Sequence, residues 1–120
     1  MQQENSLGYR KLIVWEKSHE LVKGIYRITG QFPKYELFGL ISQMRRCAIS
    51  VPANIVEGYG RKSNKEKLNF LNIAKGSLTE LEYYIDLSHE LGYLEKEHYT
   101  ELVSARITVG KLLHGYIKSF

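Results

Sequence analysis

Apolar residues return at intervals of three and four along most of the chain, and no segment alternates convincingly at two. The first spacing lines one face of a helix; the second would mark a half-buried strand. Four helices follow. The first spans roughly Val14 to Thr29, with Trp15, Ser18, Val22, Ile25 and Thr29 in one stripe widened by Leu21, Tyr26 and Ile28. Gly30 stands where a C-terminal glycine is expected, and Pro33 blocks continuation. The second spans roughly Glu36 to Glu57, with Leu37, Leu40, Ile41, Met44, Ala48, Val51 and Ile55 inward and Gly58 as the stop. The third opens on Ser63-Asn64-Lys65-Glu66, a capping-box pattern. Its seam, Leu71, Ala74, Leu78, Leu81, Ile85 and Ser88, alternates steps of three and four, the period of a left-handed bundle. Gly92 closes it, and a fourth helix runs roughly from Glu95 to Lys118 with Tyr99, Leu102, Ala105, Val109, Leu112, Leu113, Tyr116 and Ile117 inward.

Short connections force neighbouring helices antiparallel. The expected fold is all-α, an up-down-up-down antiparallel four-helix bundle. Pro52 falls inside the second helix, where it removes a hydrogen bond to Ala48, so a kink is expected near it. Residues 1–6 read as a flexible tail and 7–120 as a single domain. Hydrophobic and charged contents of 43% and 25% suit a globular chain with its own core. One cysteine, Cys47, excludes an internal disulfide framework and fits a reducing compartment. No run of eighteen apolar residues would span a membrane, and the N-terminus has no apolar signal core. A soluble, cytoplasmic protein is expected.

Charge is uneven along the chain. Residues 1–79 carry 13 lysines and arginines against 6 acids, and residues 80–120 carry 4 against 7. Alternating helix direction sorts these charges in space. One end of the bundle gathers Arg10, Lys11, Lys17, Arg61, Lys62, Lys65, Lys67, Lys111 and Lys118. The other holds Asp86, Glu90, Glu95, Glu97 and Glu101. A charge run is most simply a solvated face; a concentrated positive end also attracts polyanions.

Catalytic signatures are missing. Gly58-Tyr59-Gly60-Arg61-Lys62 lacks the preceding strand of a phosphate-binding loop, and no nucleophile, base and acid fall into a readable arrangement. Di-metal bundles use two Glu-x-x-His pairs, and Glu16-x-x-His19 and Glu95-x-x-His98 match that pattern. Helices one and four start at opposite ends, however, which separates the pairs by roughly 20–30 Å. No metal, no cofactor and no enzymatic activity are expected. Cys47 reads as a small buried thiol.

Several polar residues sit inside helices at a cost. Arg45 and Arg46 point about 100° apart, so they cannot share one partner. Pairing the second and third helices through Tyr59–Gly60 sets them opposite Lys75–Leu78, with Glu80 about a turn away. One arginine is then expected to pair with Glu80 or Glu82, and a phosphate contact is the sharper alternative. Asn54 and Ser50, one turn apart, suggest an interhelical hydrogen bond that fixes register beside the proline; Glu57 follows one turn on. Gly76-Ser77 suggests close helix approach. Nine tyrosines exceed what a small core needs, and Tyr83-Tyr84 in particular points to a subunit interface.

Four segments carry a family resemblance: Leu12-Ile13-Val14-Trp15, Gly39-Leu40-Ile41-Ser42-Gln43-Met44-Arg45-Arg46, Ser50-Val51-Pro52-Ala53-Asn54-Ile55-Val56-Glu57-Gly58, and Gly76-Ser77-Leu78-Thr79-Glu80-Leu81-Glu82. In this order and spacing the chain resembles the four-helix-bundle proteins encoded in 23S ribosomal RNA intervening sequences, from about residue 9 to 118. The resemblance implies an up-down bundle, a homopentameric ring and no established activity. A similar bundle is the accessory variability protein of diversity-generating retroelements, which implies RNA or DNA and a reverse transcriptase as partners. A ring of parallel copies would multiply the positive end into a field that holds nucleic-acid backbone with little base readout. The expected function is a non-catalytic oligomeric scaffold for RNA or DNA; the alternative is a protein-protein adaptor ring with no nucleic-acid role.

Overall fold

The computed structural model describes residues 8–120, so the tail expected at residues 1–6 lies outside the described residues. A 3-10 turn, Gly8–Lys11, leads into α1, Ile13–Thr29; α2 is Ser42–Tyr59, α3 Asn64–Glu90 and α4 Lys96–Lys118. No strand occurs among the described residues, and no helix there is long and apolar enough to cross a membrane. The molecule is an all-α four-helix bundle.

Side-chain contacts give each pair of neighbours its direction. Ser77 of α3 meets Ser50 of α2, and Ser88 meets Met44, so α2 and α3 run antiparallel. Arg45 of α2 reaches Thr29 at the end of α1, whereas Val56 lies beside Trp15 at its start. Arg27 pairs with Glu101 and Gly24 packs on Leu102, which opposes the end of α1 to the start of α4. Tyr99 bonds to Asp86 and Arg106 pairs with Glu82, again antiparallel.

All six seam residues of α3 are buried, and they meet Val14, Leu21, Ile25 and Ile28 of α1, Met44, Val51 and Ile55 of α2, and Leu102, Val109 and Leu113 of α4. The three buried hydroxyls are bonded within their own helices: Ser18 donates to the Trp15 carbonyl, Thr29 to Ile25 and Ser88 to Tyr84. That removes the desolvation penalty of an unpaired hydroxyl. Ser63 caps α3, its Oγ accepting from the Glu66 amide at 3.1 Å. Gly92, at φ +83°, lets the Tyr93 amide fold back to the Ser88 carbonyl at 2.9 Å, a Schellman ending.

The start of the second helix is corrected. α2 begins at Ser42, not Glu36. Lys34–Glu36 forms a 3-10 turn and Leu37–Ile41 a wide turn in which Gly39 (φ −111°, ψ −108°) leaves helical geometry. The Glu36 carboxylate accepts from the Leu40 amide at 3.1 Å, and a Cβ on residue 39 would sit 2.8 Å from that carboxylate. Leu37, expected in the core, is consequently 46% exposed and Phe38 93%. α2 runs from Ser42 to Tyr59 with Pro52 buried inside it, and a separate departure from helical geometry, which the spacing does not reveal, lies at Gly39. Gly30 ends α1 where a terminating glycine is expected, in right-handed geometry (φ −61°) followed by turns from Gln31 to Ile28 and Phe32 to Thr29.

Candidate nucleic-acid interface and polar seam

One end of the bundle collects three chain segments. The backbone at Gly8 lies against the Tyr59 ring, within 3.9 Å of the point where a Cβ would stand. The Lys67 ammonium donates to the Tyr59 carbonyl at 3.2 Å and lies 6.0 Å from the Phe120 ring. Phe120 in turn meets Tyr116 edge-on. The first turn, the α2–α3 loop and the end of α4 therefore share a pole. Arg10, Lys11, Arg61, Lys62, Lys65, Lys67 and Lys118 belong to those segments. Lys17 and Lys111 stand back from it; Lys111 precedes Lys118 by seven residues, about 10 Å along α4.

These cations are not equivalent. Arg61 pairs with Glu57 at 2.9 Å and covers the Phe70 ring at 4.7 Å. Lys17 pairs with Glu20 at 3.6 Å. Lys67 is half-buried and committed to a carbonyl. Arg10 lies 5.5 Å from the centroids of both the Tyr9 and Trp15 rings, within cation–π range of each. Lys11, Lys62, Lys65 and Lys118 are exposed and form no ion pair among the described residues. Those four and Arg10 are the charges available to an external anion. The arrangement can neutralise phosphates.

A polar seam follows the α2–α3 contact. Ser77 Oγ donates to Ser50 Oγ at 2.7 Å. Asn54 Nδ2 braces the same serine, 3.0 Å from its Oγ and 2.8 Å from its carbonyl oxygen. The interhelical bond is thus between serines, and Asn54 acts within its own helix because its short amide reaches back one turn. Farther along, Tyr84 Oη donates to Glu80 at 3.0 Å. Burial, reinforced by Glu80, pushes the Cys47 thiol up to about 11, so it stays protonated at neutral pH. The same carboxylate raises Tyr84 through their hydrogen bond.

The arginines depart from expectation. Arg45 takes no carboxylate: its Nε donates to Thr29 Oγ1 at 3.1 Å, its guanidinium to the Tyr26 carbonyl at 3.3 Å, and it lies 4.5 Å over the Tyr26 ring. It thereby sets a cation at the C-terminal end of α1, where the helix dipole favours positive charge. Glu82 pairs instead with Arg106 at 3.6 Å. Arg46 is exposed and in no ion pair among the described residues. The register explains the miss. The α2–α3 turn is centred on Gly60–Ser63 rather than Tyr59–Gly60, which places Met44 at Ser88 and slides Lys75–Leu78 away from the arginines. Of the polar residues singled out from sequence, Ser50, Asn54 and Glu80 lie along this seam; Ser77 and Tyr84 belong to it as well. Glu57 serves Arg61. Among the described residues no three His, Cys, Asp or Glu side chains converge. His19 stacks on Trp15 at 4.9 Å, and His98 lies at the start of α4.

Fold and poles together define a small α-helical bundle protein with a basic end and an internally braced polar seam. Residues 10–115 match the family described as 23S rRNA-intervening sequence protein, and the chain belongs to that family. A crystal structure of a protein of unknown function from the S23 ribosomal protein family of Bacteroides thetaiotaomicron VPI-5482 is similar. Its TM-score is 0.81 at 29% identity, covering 88% of this chain and 96% of that one. No curated protein matches the chain.

Proposed function

We propose that this protein is a non-catalytic, homo-oligomeric scaffold, pentameric by its family resemblance, that binds RNA or DNA backbone through its basic pole. The reading rests on one observation: Arg10, Lys11, Lys62, Lys65 and Lys118 come from three separated chain segments and converge on one end with their charges uncommitted among the described residues. Such a surface gains affinity by releasing counterions from phosphate and reads no sequence. A family match to proteins of 23S rRNA intervening sequences supports nucleic acid as the polyanion. A reverse transcriptase, implied only by the resemblance to retroelement proteins, is a further candidate partner.

Binding of a generic RNA, titrated across a salt series, tests the proposal. Affinity is expected to fall steeply with salt and to be lost on Lys62→Glu with Lys65→Glu. Absence of binding at low salt, or indifference to those substitutions, would sink it. Stoichiometric co-purification of a protein without nucleic acid would instead favour an adaptor ring.

A further inference from the structure

Two exposed apolar surfaces on this chain carry opposite charge. The first is the groove between α1 and α2. Its floor is Val22, Ile41, Ile49, Pro52, Ala53 and Val56, and it runs about 22 Å from Ile41 to Val56. Its edges carry Arg45, Arg46 and His19 and no carboxylate. The second is the outer side of α3. Ile73, Tyr83 and Leu91 stand 52%, 61% and 50% exposed there, and from Ile73 to Leu91 the surface measures about 27 Å. It bears Glu80 and Glu90, while Lys75, the lone cation of that stretch, faces α4 beside Arg106 and His114.

Gly76 lies in the middle of this second surface. A glycine inside a helix is destabilising relative to alanine. Nothing in its own chain requires it, because a Cβ there would meet no atom within 4 Å. Gly58 is the contrast: a Cβ on it would come within 3.2 Å of the Lys67 carbonyl, so the α2–α3 contact itself demands that glycine. An unneeded glycine on an exposed apolar helix face leaves room for a backbone from elsewhere.

We infer that α3 of one copy packs into the α1–α2 groove of a second copy, with Gly76 at the point of closest approach and Arg46 set against the acidic edge of α3. Groove and ridge lie on different faces of the chain, so the contact is head-to-tail and generates a ring or filament rather than a two-fold dimer. This gives the assembly half of the proposed function a specific surface and leaves the nucleic-acid half untouched.

Sedimentation velocity of the purified full chain over a concentration series tests it. The unmodified protein is expected to self-associate. Ile49→Glu in the groove and Gly76→Leu on the ridge should each lower the association constant about tenfold or more, with helicity unchanged by circular dichroism. Gly115→Leu, equally open within its own chain but on α4 near its end, should leave association unchanged. A monomeric unmodified protein, unaltered assembly in Ile49→Glu and Gly76→Leu, or equal weakening by Gly115→Leu overturns the inference. A monomer whose Ile49→Glu form loses RNA binding would assign the groove to nucleic acid and also overturn it. RNA binding that fails while these variants behave as stated would sink the basic-pole reading alone.

Discussion

Cys47 shows how one residue can be identified by type yet characterised only by its surroundings. A lone cysteine in an apolar stretch reads as a buried thiol, and it is 6% exposed. The nearby carboxylate of Glu80 comes from another helix and could not be placed from spacing. Burial and that carboxylate raise the thiol from 9.0 to about 11. The consequence for stability has a definite sign. Between pH 9 and 11 the unfolded chain loses this proton and the folded chain keeps it, so stability falls as pH rises. Chemical denaturation at several pH values should show a decline across that window that is shallower in Cys47→Ala; identical slopes would refute the assignment. Arg45 was legible as a costly polar residue, but its partner was misread because its reach to Thr29 depends on where α1 ends. For the seam, Ser77→Ala should cost about 0.5–1.5 kcal/mol, the range for a single hydrogen bond, measured by denaturant midpoint.

The helices were largely readable because each buries one face, and burial imposes its period on the chain. The seam of α3 is the clearest instance, with Leu71 through Ser88 all inward. The start of α2 was not readable. Leu37, Leu40 and Ile41 keep a helical period across a turn that is not α-helical, and only Gly39 hinted at the break. Glycines separate local from tertiary demands. Gly58→Ala pushes a methyl against the Lys67 carbonyl and Phe70, and should destabilise by about 1–3 kcal/mol, as overpacking does. Gly115→Ala meets open space and should stabilise by roughly 0.5–1 kcal/mol through helix propensity. Thermal melts of the pair should move in opposite directions; a common direction would contradict the packing.

For the molecule as a whole, charge placement follows from chain direction. Antiparallel hairpins bring Arg10, Lys62 and Lys118 to one pole although 108 positions separate the first from the last. The cations there divide into committed and available groups, and that division is measurable. Lys62→Gln with Lys65→Gln should reduce the slope of log K against log salt for RNA by roughly 1.5, since each phosphate contact contributes about 0.7–0.9. Lys67→Met should instead lower the melting temperature, because it strips a donor from the Tyr59 carbonyl, with little effect on the slope. A reversed pattern would show that Lys67, not the exposed pair, meets the anion.

Spacing alone determined the helical class, the number of helices, the α3 seam and the sharing of one pole by distant basic segments, because those features depend on periodicity and connection length. The partners of Arg45 and Glu82, the serine bond across the seam, and which lysines remain available were decided only by tertiary structure. Each depends on where one helix stops against another, and a shift of a few residues at the α2–α3 loop changes every facing pair while leaving the pattern of apolar residues intact.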